Sequence, residues 1–310
     1  MPRRKPPRRP PEFNGFLNVD KPAGMTSHDV VDVVRRVANQ QQVGHTGTLD
    51  PFATGVLVLA LGKATKLAQY VTGSDKAYHG AVTLGSATTT YDGEGEVTSQ
   101  GAIDHLDAEG IDAAMSLLRG KIQQVPPPYS AKKIAGKKLY EYARAGEVIV
   151  AEPKEVTVTL FVLDRWEPPH VHFHCLVSPG TYVRSLAHDL GQALGCGGHL
   201  STLARTQVGR FRLEEAVALG DLERDADLLG DRLVPIPDAF PDIPSVMVGD
   251  EATRRLRNGA EASIEARGIG IEAMAATRLF ALDARGQPVA LVERLPSQPG
   301  QVRLQAKVQL

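Results

Sequence analysis

Cysteine is almost absent from this chain of 310 residues, with Cys175 and Cys196 the only two. So few thiols exclude a disulfide framework and fit a reducing compartment. No run of about 18 uncharged apolar residues occurs, which argues against a transmembrane helix. The first residues also lack the apolar core of a secretory signal. Together these absences set the expectation of a cytoplasmic protein with no membrane contact. Aromatic residues make up only 5% of the chain, leaving the core mainly to aliphatic side chains. Gly62-Lys63-Ala64-Thr65 lacks the glycine spacing of a phosphate-binding loop, and Gly268-Ile269-Gly270 is too short for a dinucleotide fingerprint. Asp92, Glu94 and Glu96 stand between glycines without the spacing of a calcium loop. His170, His172 and His174 share one strand face, but no second ligand pair accompanies them beyond the distant Cys196 and His199, so no metal is expected.

Net charge is close to zero yet unevenly spread. Arg3, Arg4, Lys5, Arg8 and Arg9 lie in the first eleven residues of a chain whose formal charge is −1, leaving the remainder at −6. A body of that sign must concentrate positive charge locally to bind a polyanion. Prolines alternate with the basic residues at the start, so 1–12 is expected to be a disordered basic tail. It is either a solvated leader or a non-specific phosphate contact. A second basic stretch, 121–150, carries Lys121, Lys132, Lys133, Lys137, Lys138 and Arg144 against Glu141 and Glu147, a local +4. Tyr129, Tyr140 and Tyr142 interleave with it. Basic residues alternating with aromatics suit an insertion that tracks a nucleic-acid backbone, whereas a solvated helix face is the plainer reading.

The periodicities mix helix and strand without a strict alternation of the two, which predicts an α+β fold rather than a doubly wound one. Phe16 to Val19 reads as a strand, and Ser27 as the cap of a helix carrying Val30, Val33, Val34 and Val37. Val56 to Leu61, Tyr78 to Leu84, Val156 to Leu163 and Val171 to Val177 read as strands. Leu67 to Val71, Ile111 to Leu118 and Ser185 to Leu194 read as helices. Prolines cluster between Pro235 and Pro244. Beyond them, short apolar runs at Arg278 to Leu282, Val289 to Val292 and Val302 to Leu304 predict a small β-rich domain. The expected division is 13–238 for a first domain, with its insertion at about 121–150, and 239–310 for the second.

The segment Gly44-His45-Thr46-Gly47-Thr48-Leu49-Asp50-Pro51-Phe52-Ala53-Thr54-Gly55 carries the most chemistry. An Asp-Pro step disfavours helix at Asp50, and the glycines let the backbone bend close to a partner. A lone carboxylate on such a turn is where an acid-base or nucleophilic group would be held rigidly, while an ordinary Asp-Pro turn bonds only its own backbone.

The wording of this segment, taken with others in chain order, resembles the TruB family of tRNA pseudouridine synthases. The others are Gly15-Phe16-Leu17-Asn18-Val19-Asp20-Lys21-Pro22, Leu61-Gly62-Lys63-Ala64-Thr65-Lys66, Ser74-Asp75-Lys76-Ala77-Tyr78, Gln124-Val125-Pro126-Pro127-Pro128-Tyr129-Ser130-Ala131, Gly180-Thr181-Tyr182-Val183-Arg184-Ser185 and Leu203-Ala204-Arg205-Thr206. The resemblance implies a mixed, largely antiparallel central sheet with flanking helices and an RNA-gripping insertion, followed by a PUA-like RNA-binding domain. It implies isomerisation of the T-loop uridine at position 55 of tRNA to pseudouridine. That reaction exchanges an N1–C1′ bond for a C5–C1′ bond without redox or group loss, so it requires neither a nucleotide cofactor nor a metal; the expected partner is the T-arm of tRNA, with no protein partner required.

By the same resemblance Asp50 is the catalytic carboxylate, acting at the sugar or by addition to the base. Arg184 is the arginine that orients it and favours its charged form. Tyr78 is expected as a catalytic residue that stacks on the flipped base and whose hydroxyl assists loss of the C5 proton, and His45 fills the gap that flipping leaves. Tyr182 and Leu203 line the uracil pocket, and Asp92 supports it. Lys21, Lys66 and Arg205 are expected as phosphate or pocket-supporting contacts. Thr88-Thr89-Thr90 departs from the Thr-Asp-Thr usual in the family. The rival from another class is a non-catalytic RNA-binding or RNA-folding protein, which would need no carboxylate facing a polyanion. A glycosidase would use two carboxylates where the resemblance supplies one.

Overall fold

The computed structural model describes residues 13–130, 133–134, 137–139, 142 and 151–310. The basic tail and most of the basic insertion, including Lys132, Tyr140 and Arg144, therefore lie outside the described residues.

The chain builds one mixed, largely antiparallel sheet of eleven strands. Strand β1 (Gly15–Lys21) pairs antiparallel with β3 (Thr54–Leu61), and β2 (Val43–His45) also pairs with β3. Parallel pairing carries β3 on to the strand Gly198–Val208, which pairs antiparallel with β4 (Lys76–Leu84). Strands His170–Val177, Lys154–Glu167 and Gly120–Gln124 extend the sheet in that order. Residues 121–124, expected to open the insertion, thus belong to the sheet's edge strand, and the Lys121 side chain forms an ion pair there with Glu155.

The burial pattern explains the layers. Every residue of β3 from Gly55 to Leu61 is buried, as a strand covered on both faces requires. On one face, helix α1 (Ser27–Val37) packs Val30, Val31, Val33 and Val34 against Leu17, Val19, Leu57 and Leu59. Its cap is Thr26 rather than Ser27: the Thr26 hydroxyl accepts from Asp29 N, and the Asp29 carboxylate accepts from Thr26 N. That reciprocal box frees the Ser27 hydroxyl for a different task, described below. Farther along the sheet, helix α2 (Ala108–Ser116) and the helix Val183–Ala193 cover Val82, Phe161, Phe173 and Val177. The latter helix starts two residues before the Ser185 expected, which brings Arg184 into its first turn. Gly191 lets it approach closely: a side chain there would meet Gly198 backbone at 2.0 Å.

A second, five-stranded sheet spans 245–309, with order Ser245–Met247, Arg278–Leu282, Pro288–Leu295, Gln301–Gln309, Ala262–Glu265. Helix Asp250–Arg257 packs on it through Ala252 and Leu256. Phe280, Leu291 and Leu310 from this unit join Phe16, Val56 and Val58 in one apolar cluster, where the Phe240 ring meets both Phe16 and Phe280 at 5.6 and 5.8 Å. No helix among the described residues is long and apolar enough to cross a membrane.

Candidate active site

The loop between β2 and β3 carries Asp50, and three buried or part-buried side chains hold its backbone. The Ser27 hydroxyl donates to Leu49 O at 3.1 Å and accepts from Leu49 N at 2.8 Å. Lys21, fully buried, donates to Pro22 O, Met25 O and Pro51 O at 2.9, 2.6 and 3.1 Å. Arg205, 1% exposed, donates from Nε to Val56 O and from its two terminal nitrogens to Thr48 O and Gly47 O. Gly55, with φ +96°, lies against the Arg205 backbone, where a side chain would come within 2.3 Å of its carbonyl oxygen. Buried cations persist only where their donors are satisfied, and here carbonyl oxygens satisfy them.

Asp50 opens into a cleft of about 700 Å3 whose lining includes Lys76, Tyr78, Asp92, Tyr182, Arg184 and Leu203. The Arg184 guanidinium, 9% exposed, forks onto this carboxylate: Nε meets Oδ2 at 3.0 Å and Nη2 meets Oδ1 at 3.1 Å. Its remaining donors go to Tyr129 O at 3.0 Å, Thr90 O at 3.1 Å and Asp92 Oδ2 at 3.1 Å. All five guanidinium protons thus have acceptors, which fixes the plane of the group and with it the plane of the Asp50 carboxylate. Burial pushes Asp50 above the usual carboxylate range, the Arg184 charge opposes that rise, and the Asp92 charge adds to it. A short distance away, Gln124 grips the backbone of Tyr182 in both directions, accepting from Tyr182 N at 2.8 Å and donating to Tyr182 O at 3.1 Å.

Tyr78, on β4 and 7% exposed, lines the same cleft as Asp50, its partners across the sheet being Cys175 and Arg205. Burial raises the pKa of its hydroxyl, and the nearby Arg205 charge opposes that rise. Lys76, one strand face with Tyr78, donates to Thr72 O and Ser74 O at 2.9 and 2.7 Å. Burial, reinforced by the Arg205 charge, lowers the Lys76 pKa to about 8.

Of the residues expected from the sequence, Asp50, Tyr78, Tyr182, Arg184, Leu203 and Arg205 all line this cleft, together with Asp92. His45 stands outside the lining, on β2, with a part-buried ring whose Nδ1 has no hydrogen-bond partner among the described residues. Burial lowers its pKa, with the Arg205 and His28 charges acting in the same direction. Lys21 spends its donors on backbone carbonyls and supports the Asp50 loop, the second of the two roles expected of it. One expectation needs correction. Lys66 lies away from the cleft and donates to Gln309 O of the second sheet at 2.8 Å. The three strand histidines pair with Thr83, Glu167 and Asp164 instead of converging. Lys76, Gln124 and the carbonyls of Thr90 and Tyr129 also serve the site, and no sequence pattern marks them. Backbone acceptors have no residue-type signature, and a lysine in a motif looks solvated until its burial is seen.

A mixed sheet presenting an aspartate held in a fork by a buried guanidinium in a nucleotide-sized cleft belongs to the pseudouridine synthase fold class. The chain is a member of the TruB family of pseudouridylate synthases: residues 35–183 match "TruB family pseudouridylate synthase (N terminal domain)", and 184–240 match "tRNA pseudouridylate synthase B C-terminal domain". It is 47% identical over 254 residues to the tRNA pseudouridine synthase B of Solibacter usitatus, covering 80% of this chain and 86% of that protein. It is 40% identical over 285 residues to that of Streptococcus thermophilus, covering 89% and 96%. The crystal structure of a Cbf5-Nop10-Gar1 complex contains a chain 27% identical with a TM-score of 0.69, over 97% of this chain and 87% of that one.

Proposed function

We propose that this chain is a tRNA pseudouridine synthase that isomerises the T-loop uridine at position 55. The observation that carries this reading is the Asp50 carboxylate with both oxygens on the Arg184 fork, open to a cleft of nucleotide size. Relatives named tRNA pseudouridine synthase B, matched over most of their length, supply the RNA class.

In this account the uridine is flipped out of its stack, at a cost of a few kcal/mol, and enters between Tyr78 and Tyr182. Asp50 then meets the nucleoside as an oriented anion. It either stabilises positive charge developing at C1′ or adds covalently. The N1–C1′ bond breaks, the base turns, C5 bonds to C1′, the C5 proton leaves and N1 gains one. Arg184 keeps the carboxylate ionised despite burial. Arg205 and Lys21 hold the loop so that the carboxylate does not have to be reoriented at the moment of reaction. Tyr78 provides the stacking surface, and its hydroxyl assists loss of the C5 proton. His45 fills the space left in the T-loop, Leu203 walls the base pocket, and Lys66 serves the docking of the second sheet.

The division of labour proposed for the chain is 13–238 for catalysis, a basic insertion after the edge strand for gripping RNA, and 239–310 as a PUA-like RNA-binding domain. We place the reaction in the cytoplasm and assign it to the chain acting without a protein subunit. The test is to incubate the purified chain with unmodified tRNA transcript and map the product. Pseudouridine confined to the T-loop supports the reading. Tight binding without product would transfer the protein to the RNA-folding class.

A further inference from the structure

We propose that Tyr91 and His188 are positioning residues for this reaction, a stacked pair that holds the Asp50–Arg184 lock in its working geometry. The inference rests on the function proposed above. Arg184 and His188 stand one turn apart on the helix Val183–Ala193 and therefore share a face. Both side chains close on the same three residues. Arg184 takes the Thr90 carbonyl and the Asp92 carboxylate, while the imidazole of His188 lies on the ring of Tyr91 at 3.8 Å between centroids and 9° between planes.

Tyr91 adopts φ +64°, in the left-handed region that a bulky side chain rarely occupies. Such a conformation persists where the surroundings over-determine it. Here the carbonyl of Tyr91 accepts from Leu200 N at 3.0 Å, Gly93 N donates to Leu200 O at 3.1 Å, and the imidazole closes the side-chain direction. The reversal at residue 91 is what allows the carbonyl before it and the carboxylate after it to meet one guanidinium. Thr90 completes the turn by donating its hydroxyl to Asp92 Oδ1. For His188, hydrogen bonding does not explain the placement: its Nδ1 is buried with no partner among the described residues. Burial also lowers its pKa, which favours the neutral ring that stacks face to face. The ring, rather than a proton, is what this site uses.

Four variants test the pair: Tyr91→Gly, Tyr91→Phe, His188→Ala and His188→Phe. Glycine accepts the left-handed conformation without strain, so Tyr91→Gly removes the ring while sparing the backbone. Single-turnover pseudouridine formation is expected to fall about tenfold in Tyr91→Gly and His188→Ala, the upper range of an aromatic pair's contribution. The tRNA dissociation constant should stay unchanged, and the two phenylalanine variants should restore the rate. A second readout needs no substrate: in protein labelled with nitrogen-15 arginine, the Arg184 Nε–H signal is identified by its loss in Arg184→Lys. It should be sharp in wild type and Tyr91→Phe and broadened by exchange in Tyr91→Gly. Wild-type rate together with a sharp signal in Tyr91→Gly would overturn the proposal. If the wild-type chain itself makes no pseudouridine, the functional reading fails, and the Arg184 signal alone still decides whether the stack holds the guanidinium.

Discussion

Replacing Arg184 by lysine separates charge from geometry at the site. The guanidinium has five protons on five acceptors, two of them the oxygens of Asp50. An ammonium has three protons, radiating from one atom, so at least two acceptors lose their donor and the Asp50 carboxylate keeps one contact at most. A hydrogen bond to a charged group contributes about 1.5–3 kcal/mol. If the lost Asp50 contact appears wholly in the transition state, the rate falls by about tenfold to about a hundredfold, since each tenfold corresponds to roughly 1.4 kcal/mol. The second acceptor left without a donor, the carbonyl of Thr90 or Tyr129, lowers the stability of the fold by about 1–3 kcal/mol. The assay is single-turnover conversion of tRNA transcript at saturating enzyme, with affinity measured by filter binding and stability by urea titration. A variant that loses stability but keeps the wild-type rate would refute the claim that the fork, rather than the positive charge, orients Asp50.

Three further outcomes follow from the same geometry. Because burial raises Asp50 above 3.8 and its ionised form is the active one, the single-turnover rate should be present above the raised pKa and lost as pH falls through it. Arg184→Lys, by loosening the charge that opposes the rise, should move that limb to higher pH; an unshifted limb would contradict the assignment. Lys76 is lowered from 10.5 to about 8, so between those values the unfolded chain holds a proton that the folded chain has released. Stability should therefore rise with pH across that window in wild type relative to Lys76→Met, and parallel pH profiles would show that Lys76 is not desolvated. Gly55→Ala places a methyl within 2.3 Å of the Arg205 carbonyl at φ +96°, and should lower the urea midpoint by an amount equivalent to about 1–3 kcal/mol or more. An unchanged midpoint would mean that the loop is free to shift.

Much of this architecture is legible in the sequence because hydrophobic runs and motif wording carry it. The fully apolar Val56 to Leu61 announces a strand buried on both faces, and the valines of α1 announce their helix. Asp50, Tyr78 and Arg184 are far apart in the chain, and the resemblance of their local wording to one family is what points to a shared cleft. The supports are harder to see. For Lys21 and Arg205 the sequence leaves open a phosphate contact or support of the pocket, and only the fold shows that backbone carbonyls satisfy them. Ser27 looks like a helix cap, yet Thr26 and Asp29 make the capping box and leave Ser27 to brace Leu49; the Thr-x-x-Asp spacing contained that signal. Residues 120–124 look like part of a basic insertion because Lys121 belongs to its charge run, whereas edge pairing with Lys154 to Val158 decides their place. In the second sheet, strands as short as Ser245–Met247 and Ala262–Glu265 are set by tertiary pairing rather than by their own pattern.

The central claim is that Asp50 is the chemical group and not merely part of an RNA-binding surface. It is tested most directly by comparing wild type with Asp50→Asn on unmodified tRNA transcript, measuring pseudouridine and dissociation constant in the same samples. The account predicts that product disappears in the variant while affinity is retained, because asparagine keeps the size of the side chain and removes its charge. Product formation by Asp50→Asn near the wild-type rate would contradict it.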